Sequence, residues 1–549
     1  MIRRFPVSVA AIVVGAVISG CAAGAGPGTG ADGGSPPAQT EAPPQPGGVL
    51  QTIGLRDLPH LHPWTNPRNN ISFFLTTSVY ETLLTYEYKP FQDYREEYKI
   101  APLLAERWDL RDNTAYTFNL KRNVKWHDGQ PFTAQDVKFS YEQLADPAGR
   151  LVGGASLATM ASLSVVDDYT VRITTKEPDV EFLGKLTESP TGIMPKHAHE
   201  RGENFEKVAI GTGPFKVESN VAGRGTVYVP NREYHRPGLP YLEKWKMLPA
   251  TDEAGRIAAF IAGQSDVVKV PNRIQAETVM AQTRNSRNAP FYRDNTSELF
   301  LKIDRPPFND LRVRQALHLA VDRQAMADTL TQGEGLFNPP AINPVRKSWA
   351  IPEEELKSLP GWRSPKDQDI ARAKQLLAEA GHTAGLTFTI RVDRSHPDRP
   401  AQSEMVSEQL RQMGVTAKLQ PMESAALQKA WVDGDYEAIM YTGNSPDNWF
   451  QQLYSAAPLN RMPVMDPELD RLIEAQAREF DPAKRALLIR EMQRLMIRQM
   501  YVIPTITLVG HALWQPYVRG WVDNQAANVG SMDWGQVWMD QATAPKGRS

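Results

Sequence analysis

The chain has 549 residues, of which 41% are apolar and 23% charged, with a formal net charge of −2. That length exceeds one ordinary core and suggests about three to four lobes. The near balance of charge gives no electrostatic case for nucleic acid, and the single cysteine, Cys21, excludes an intrachain disulfide.

Arg3 and Arg4 precede an apolar run from Val7 to Val17, which Ile18-Ser19-Gly20-Cys21 follows. The run is too short to span a bilayer core, which needs about 20 residues, and reads as a secretory signal. Its last four residues resemble the lipobox of bacterial lipoproteins. That resemblance implies a signal peptide over 1–21, with Cys21 acylated as the anchor of the mature protein. The alternative is a soluble signal ending after a small residue. Residues 22–48 are dominated by Gly, Pro, Ala and Ser. They read as a flexible tether with a root-mean-square span of roughly 30 Å.

His60-Leu61-His62 places two imidazoles two residues apart, half of a metal site if they lie on a strand. Further on, Tyr116, Phe118 and Leu120 alternate as in a strand, which Val124 and Trp126 extend. His127-Asp128-Gly129 then reads as a turn, because Asp-Gly supplies a residue tolerant of positive φ. Thr133 and Asp136 have the spacing of a capping box, and Val137, Tyr141 and Leu144 form one helical stripe behind them. A general base needs an orienting partner and a pocket, and this corner offers His127 neither.

His197-Ala198-His199 repeats the paired-imidazole form. No acidic or cysteine cluster completes either pair locally, so no metal is expected. Gly211-Thr212-Gly213 lacks the Gly-Lys-Ser/Thr ending of a phosphate loop and reads as a tight turn. Ser364 with Pro365 suggests a helix start and Gly381 its end, while Asp466-Pro467 and Asp481-Pro482 repeat the cap-then-proline device. Strands are expected over 387–393, 417–422 and 436–441. Helices alternate with them, which favours mixed α/β layers.

Several segments together resemble bacterial extracellular solute-binding proteins of family 5, the oligopeptide-, dipeptide- and nickel-binding proteins of ABC importers. The signature stretch is "LKRNVKWHDGQPFTAQDVKFSYEQLADP" at 120–147. In matching order come "VYETLLTYE" (79–87), "APLLAERWDL" (101–110), "IMPKHAHE" (193–200) and "IGTGPFKVE" (210–218). "PPFNDLRVRQALHLAVDRQAM" (306–326), "ARAKQLLAEAGH" (371–382) and "AKRALLIREMQRLMIRQMYVIPT" (483–505) follow. The resemblance covers essentially everything after residue 49.

It implies an α/β, two-lobed periplasmic-binding-protein-like fold of type II, with an extra subdomain and a hinge between the lobes. Lobe I would comprise 49–76, 207–298 and 511–541, with 77–206 inserted on its flank. Lobe II would comprise 299–510, and the chain would cross between lobes near 299 and 510. The implied function is that of an extracytoplasmic, lipid-anchored monomer. It would capture a peptide between its lobes and deliver it to an ABC permease and ATPase complex, without cofactor, metal or catalysis. Alternatives are an oligosaccharide or opine-like ligand, an extracellular hydrolase, or a receptor that does not transport. No HExxH or G-x-S-x-G supports the hydrolase.

The resemblance also implies where a ligand would lie. In peptide-binding relatives the stretch after the first strand lines the cleft; here it is "HPWTNPRNN" (62–70), which puts forward Arg68 and Asn69. Arg68 is either a fork for a ligand carboxylate or a solvated surface residue. A second cleft segment in relatives carries an Asp that holds the ligand ammonium. The matching stretch here is "IMYTGNSPDNWF" (439–450), with Thr442 in that place, Ser445 at the second acid, and Asp447 nearby but unmatched. Threonine cannot make a charge-assisted bond to an ammonium. Trp431, Tyr441, Asn444, Asn448 and Trp449 would complete a polar-aromatic pocket, although Trp431 and Tyr441 read equally well as core.

Overall fold

A computed structural model describes residues 43–548 apart from 55–56, 66–74, 76, 88–98, 150, 251, 293–295, 396–397, 444–445, 458–459, 461 and 522–532. Its first lobe is built on a four-stranded sheet in the order Val49–Gly54, Lys244–Pro249, Gly225–Pro230, Phe215–Val221. The first pair is parallel and the others antiparallel. Alternation decides which side is covered: Leu50 and Thr52 point inward from the first strand. Beneath the sheet, Trp245 stacks on Tyr228 at 4.5 Å and on Trp534 at 4.2 Å. The C-terminal segment therefore closes the core that the N-terminal strand opens.

A second antiparallel sheet, Ala105–Arg111, Ala115–Leu120, Thr170–Thr175 and Met160–Asp167, is inserted between these strands. Helix Ala134–Ala145 starts at a capping box: the Thr133 side chain accepts from the helix backbone while Asp136 accepts from the Thr133 N–H at 2.9 Å. Val137, Tyr141 and Leu144 are buried on its inner stripe, in the same continuous core as Leu50 and Trp245. The strand ends at Leu120. Val124 and Trp126 are buried loop residues, contrary to the alternation read from the sequence, and only an isolated bridge between Lys125 and Pro131 follows.

The second lobe has a five-stranded sheet in the order Val415–Met422, Leu386–Asp393, Ala438–Gly443, Thr296–Leu301, Val502–Pro504. The first three strands are mutually parallel and the last two antiparallel to their neighbours. The two faces carry different cores. Leu299 and Leu301 join Val313, Leu317 and Phe388 on one face, and Phe300 joins Trp431, Trp449 and Ile489 on the other.

The chain crosses from the first lobe's Arg287–Tyr292 to Thr296–Leu301, so the second sheet begins slightly before residue 299. It returns between Ile506–Thr507 and Val509–Trp514, the central strand of a three-stranded first-lobe sheet. Helices Pro467–Ala477 and Pro482–Gln499 start at Asp466 and Asp481, whose carboxylates cap the first-turn N–H groups. Ser364 is not a cap. The helix begins later, at Asp367, with Lys366 before it. The buried Asp369 carboxylate draws that entry inward, accepting from Gly361 N–H at 2.8 Å, Arg363 Nε at 2.8 Å and Lys366 Nζ at 2.9 Å.

Candidate functional site

In open parallel sheets ligands bind outside the carboxyl ends of the strands. Three such ends lie side by side here, at Asp393, Met422 and Thr442–Gly443. Thr442 is buried among polar neighbours. Its Oγ1 accepts from Arg399 Nε at 3.3 Å and lies 3.4 Å from Ser297 Oγ. Arg399 Nη1 donates to Asp393 at 3.1 Å, and its guanidinium sits 5.0 Å from the Tyr441 ring centre. Asp393 also accepts from Ser424 Oγ at 2.7 Å. Thr442 is therefore next to a cation.

Tyr441 is half-buried, but Trp431 and Trp449 are each only 1% exposed. Trp431 packs 4.2 Å from Tyr441 and 5.6 Å from Phe300, and Trp449 lies 5.0 Å from Phe300. Both are core residues in this conformation rather than pocket walls. Their helices, Ser424–Val432 and Pro446–Leu453, cover the sheet face on which Phe300 points. Arg68, Asn69 and Asn444 lie outside the described residues, as do Cys21 and the side chains of Asp447 and Asn448.

Sequence reasoning missed Glu298. It pairs with Tyr441 in the strand register and is fully buried. Its Oε1 accepts from Ala341 N–H at 2.8 Å, while Oε2 has no hydrogen-bond partner among the described residues. Burial outweighs that bond and pushes the carboxyl up to about 8. A second missed group is Glu81, within "VYETLL", which holds His235 Nε2 at 3.0 Å and accepts from Tyr234 Oη at 2.8 Å. Burial opposes its charge, but His235, Thr212 and Tyr234 hold the carboxyl below its usual range. Only long-range pairing reveals either group.

A cavity of about 330 Å³ adjoins Glu81 and is lined by Tyr80, Lys121, Tyr234, Arg236 and Asp533. Its walls belong to the first lobe and the inserted subdomain alone, so it is not the space between lobes. His62 accepts from Trp64 N–H at 3.2 Å and His197 meets Asp128 at 2.8 Å. Among the described residues no group of His, Cys, Asp and Glu could hold a metal ion, and no helix is long and apolar enough to cross a membrane. Gly211 and Gly213 form a close-approach turn: a Cβ on Gly211 would stand 1.8 Å from the Val79 carbonyl oxygen.

Heme-binding protein A of Haemophilus influenzae is 26% identical over 464 residues, covering 77% of this chain and 82% of that protein. Di/tripeptide-binding protein 3 of Pseudomonas aeruginosa is 26% identical over 441 residues, 73% and 80% of the two chains. The structure of HbpA2 from Haemophilus parasuis superposes with a TM-score of 0.74 at 26% identity, covering 90% of this chain and 99% of that one. The two-lobed α/β architecture is thus that of the periplasmic binding proteins. The model of the bacterial extracellular solute-binding proteins, family 5, matches residues 99–460, and the chain belongs to that family of non-enzymatic binding proteins.

Proposed function

We propose that this protein captures a peptide-like ligand outside the cytoplasm, closes its lobes on it, and delivers it to an ABC permease from a lipid anchor at Cys21. One observation carries the capture step. Among the described elements, two separate sets of sheets and cores are joined by two chain crossings, one from Tyr292 to Thr296 and one from Thr507 to Val509. Such a pair of short crossings is a hinge, and hinge closure around a ligand is the motion it permits. A relative named for di- and tripeptides supports the ligand class.

The test is native mass spectrometry of freshly purified protein, followed by thermal shift with tripeptide and oligosaccharide pools. A ligand that binds only the folded state adds about 2.7 kcal/mol at 100 times its dissociation constant, a shift well above error. Stabilisation by peptides, with the peptide recovered intact, is the expected result. Stabilisation by sugars alone would overturn the ligand class, and recovery of a cleaved peptide would overturn the binding role.

A further inference from the structure

The lobes also meet away from the two crossings. Residues 177–181 of the inserted subdomain abut helices Pro467–Ala477 and Pro482–Gln499 of the second lobe. Val180 N–H donates to the Ala477 carbonyl at 3.0 Å. Arg478 Nη2 donates to Glu177 at 2.7 Å, and Arg485 pairs with Glu181.

Both sides are braced before they meet. On the first lobe, the Asp179 carboxylate accepts from Lys185 Nζ and Thr159 Oγ1, each at 2.6 Å, while Tyr116 Oη donates to the Asp179 carbonyl at 3.1 Å. On the second, Arg485 Nε and Nη2 donate to Gln476 Oε1 at 3.1 and 2.9 Å, and the guanidinium sits 4.7 Å from the Trp349 ring centre. The Arg485 side chain is 7% exposed.

The place of the contact gives it leverage. Helix Pro482–Gln499 leads into strand Val502–Pro504, which pairs with the strand that receives the first crossing. From Arg485 to Gln499 the helix rises about 21 Å. For a rotation about the base of that helix, roughly 10° moves the contact by roughly 3–4 Å, beyond hydrogen-bond reach. The contact therefore exists only over a narrow range of lobe angles.

We propose that segment 177–181 is a latch that ties the inserted subdomain to the second lobe and sets the ratio of closed to open protein before ligand arrives. This assigns the inserted subdomain a task that its position on the flank of the first lobe does not suggest. Because apparent affinity scales with the fraction of competent protein, the latch tunes affinity for every ligand equally. It rests on the hinge and not on the identity of the ligand.

The test is single-molecule fluorescence transfer on the ligand-free full chain carrying Cys21→Ser, with dyes at Lys207→Cys and Lys374→Cys, one per lobe. Glu177 and Arg478 are both more than half exposed, so their exchange leaves the cores untouched. Glu177→Arg sets two like charges against each other and should raise the open-to-closed ratio at least threefold. The swap Glu177→Arg with Arg478→Glu should restore the wild-type ratio. A ratio unchanged by Glu177→Arg, a rise the swap does not reverse, or a wild type already fully open would each overturn the latch. Failure to find a peptide ligand would not affect this measurement, so the two proposals fail separately.

Discussion

His127 Nε2 lies 3.0 Å from the Gly213 carbonyl oxygen, and Nδ1 of the same ring accepts the Gly211 N–H at 3.2 Å. Since Nδ1 must be the acceptor, Nε2 carries the proton and donates. The ring is a clasp on the 211–213 turn, and both nitrogens are spent on backbone.

Burial, with Lys216 adding to it, lowers the His127 pKa to about 4, against the raising effect of the Gly213 bond. The unfolded histidine titrates near 6.5. Between those values the unfolded chain takes up a proton that the folded ring refuses, so stability falls as pH drops through that window. His127→Gln should lower stability at pH 7 by about 1–2 kcal/mol through lost hydrogen bonds. It should also flatten the decline below pH 6.5, though not abolish it, because His62 is likewise lowered to about 4. Ligand affinity should stay within about 0.5 kcal/mol. Urea titrations at pH 7 and pH 5, with calorimetry on the same variant, check all three.

Trp431→Ala and Trp449→Ala should each cost about 3–5 kcal/mol, because each leaves a cavity against Phe300. Trp449→Phe keeps most of that volume and should cost less than about 2 kcal/mol. Chemical denaturation separates the two outcomes. A loss near zero for Trp449→Ala would place that ring outside the core.

What was legible in the sequence was local. Thr133 and Asp136 cap a helix three residues apart, and Asp466 and Asp481 cap theirs within one turn, so the pattern and the structure are the same event. Ser364-Pro365 misled because Asp369 draws Lys366 and Arg363 inward and postpones the helix, an interaction invisible to a cap-and-proline pattern. Trp431 reads as wall or core depending on what lies over the sheet, and that depends on Phe300, 131 positions away. Arg399, on helix Asp398–Arg411, beside Thr442, and Glu298 accepting from the Ala341 N–H arise from tertiary packing and leave no mark in either local segment.

Glu298 gives a pH signature of the opposite sign. Its carboxyl is raised to about 8 when folded, from the ordinary 4.5. Between those values the folded state holds the proton and the unfolded chain does not, so this group makes stability fall as pH rises. Glu298→Gln keeps an acceptor for the Ala341 N–H and removes the ionisation. The variant should gain on wild type as pH goes from 6 to 9 in guanidinium titrations. A difference that is constant across that range would show that Glu298 does not titrate there.

Cys21 is the chain's single thiol and follows Ile18-Ser19-Gly20. Cys21→Ser should move the protein from the membrane fraction to the soluble one, since one or more acyl chains contribute about 0.8 kcal/mol per buried CH₂. Equal membrane association of wild type and variant would remove the lipid anchor from the proposal.

Thr442 makes the sharpest statement about ligand choice. Its hydroxyl is already engaged by Arg399, whose own charge is met by Asp393. A ligand ammonium arriving there would meet the Arg399 guanidinium, with the one adjacent carboxylate, Asp393, already paired to it. A charge-assisted bond from a free α-amino group, about 1.5–3 kcal/mol, is therefore not available at this position. Blocking the amine of a bound peptide should cost little affinity, less than about threefold, or about 0.6 kcal/mol. Calorimetry with free and N-acetylated versions of the best tripeptide from the thermal-shift pool makes the comparison. If acetylation abolishes binding, an acid elsewhere holds the ammonium. Asp393→Asn and Asp447→Asn, titrated with the same two peptides, would then identify it: the variant in which acetylation no longer matters has lost the anchor.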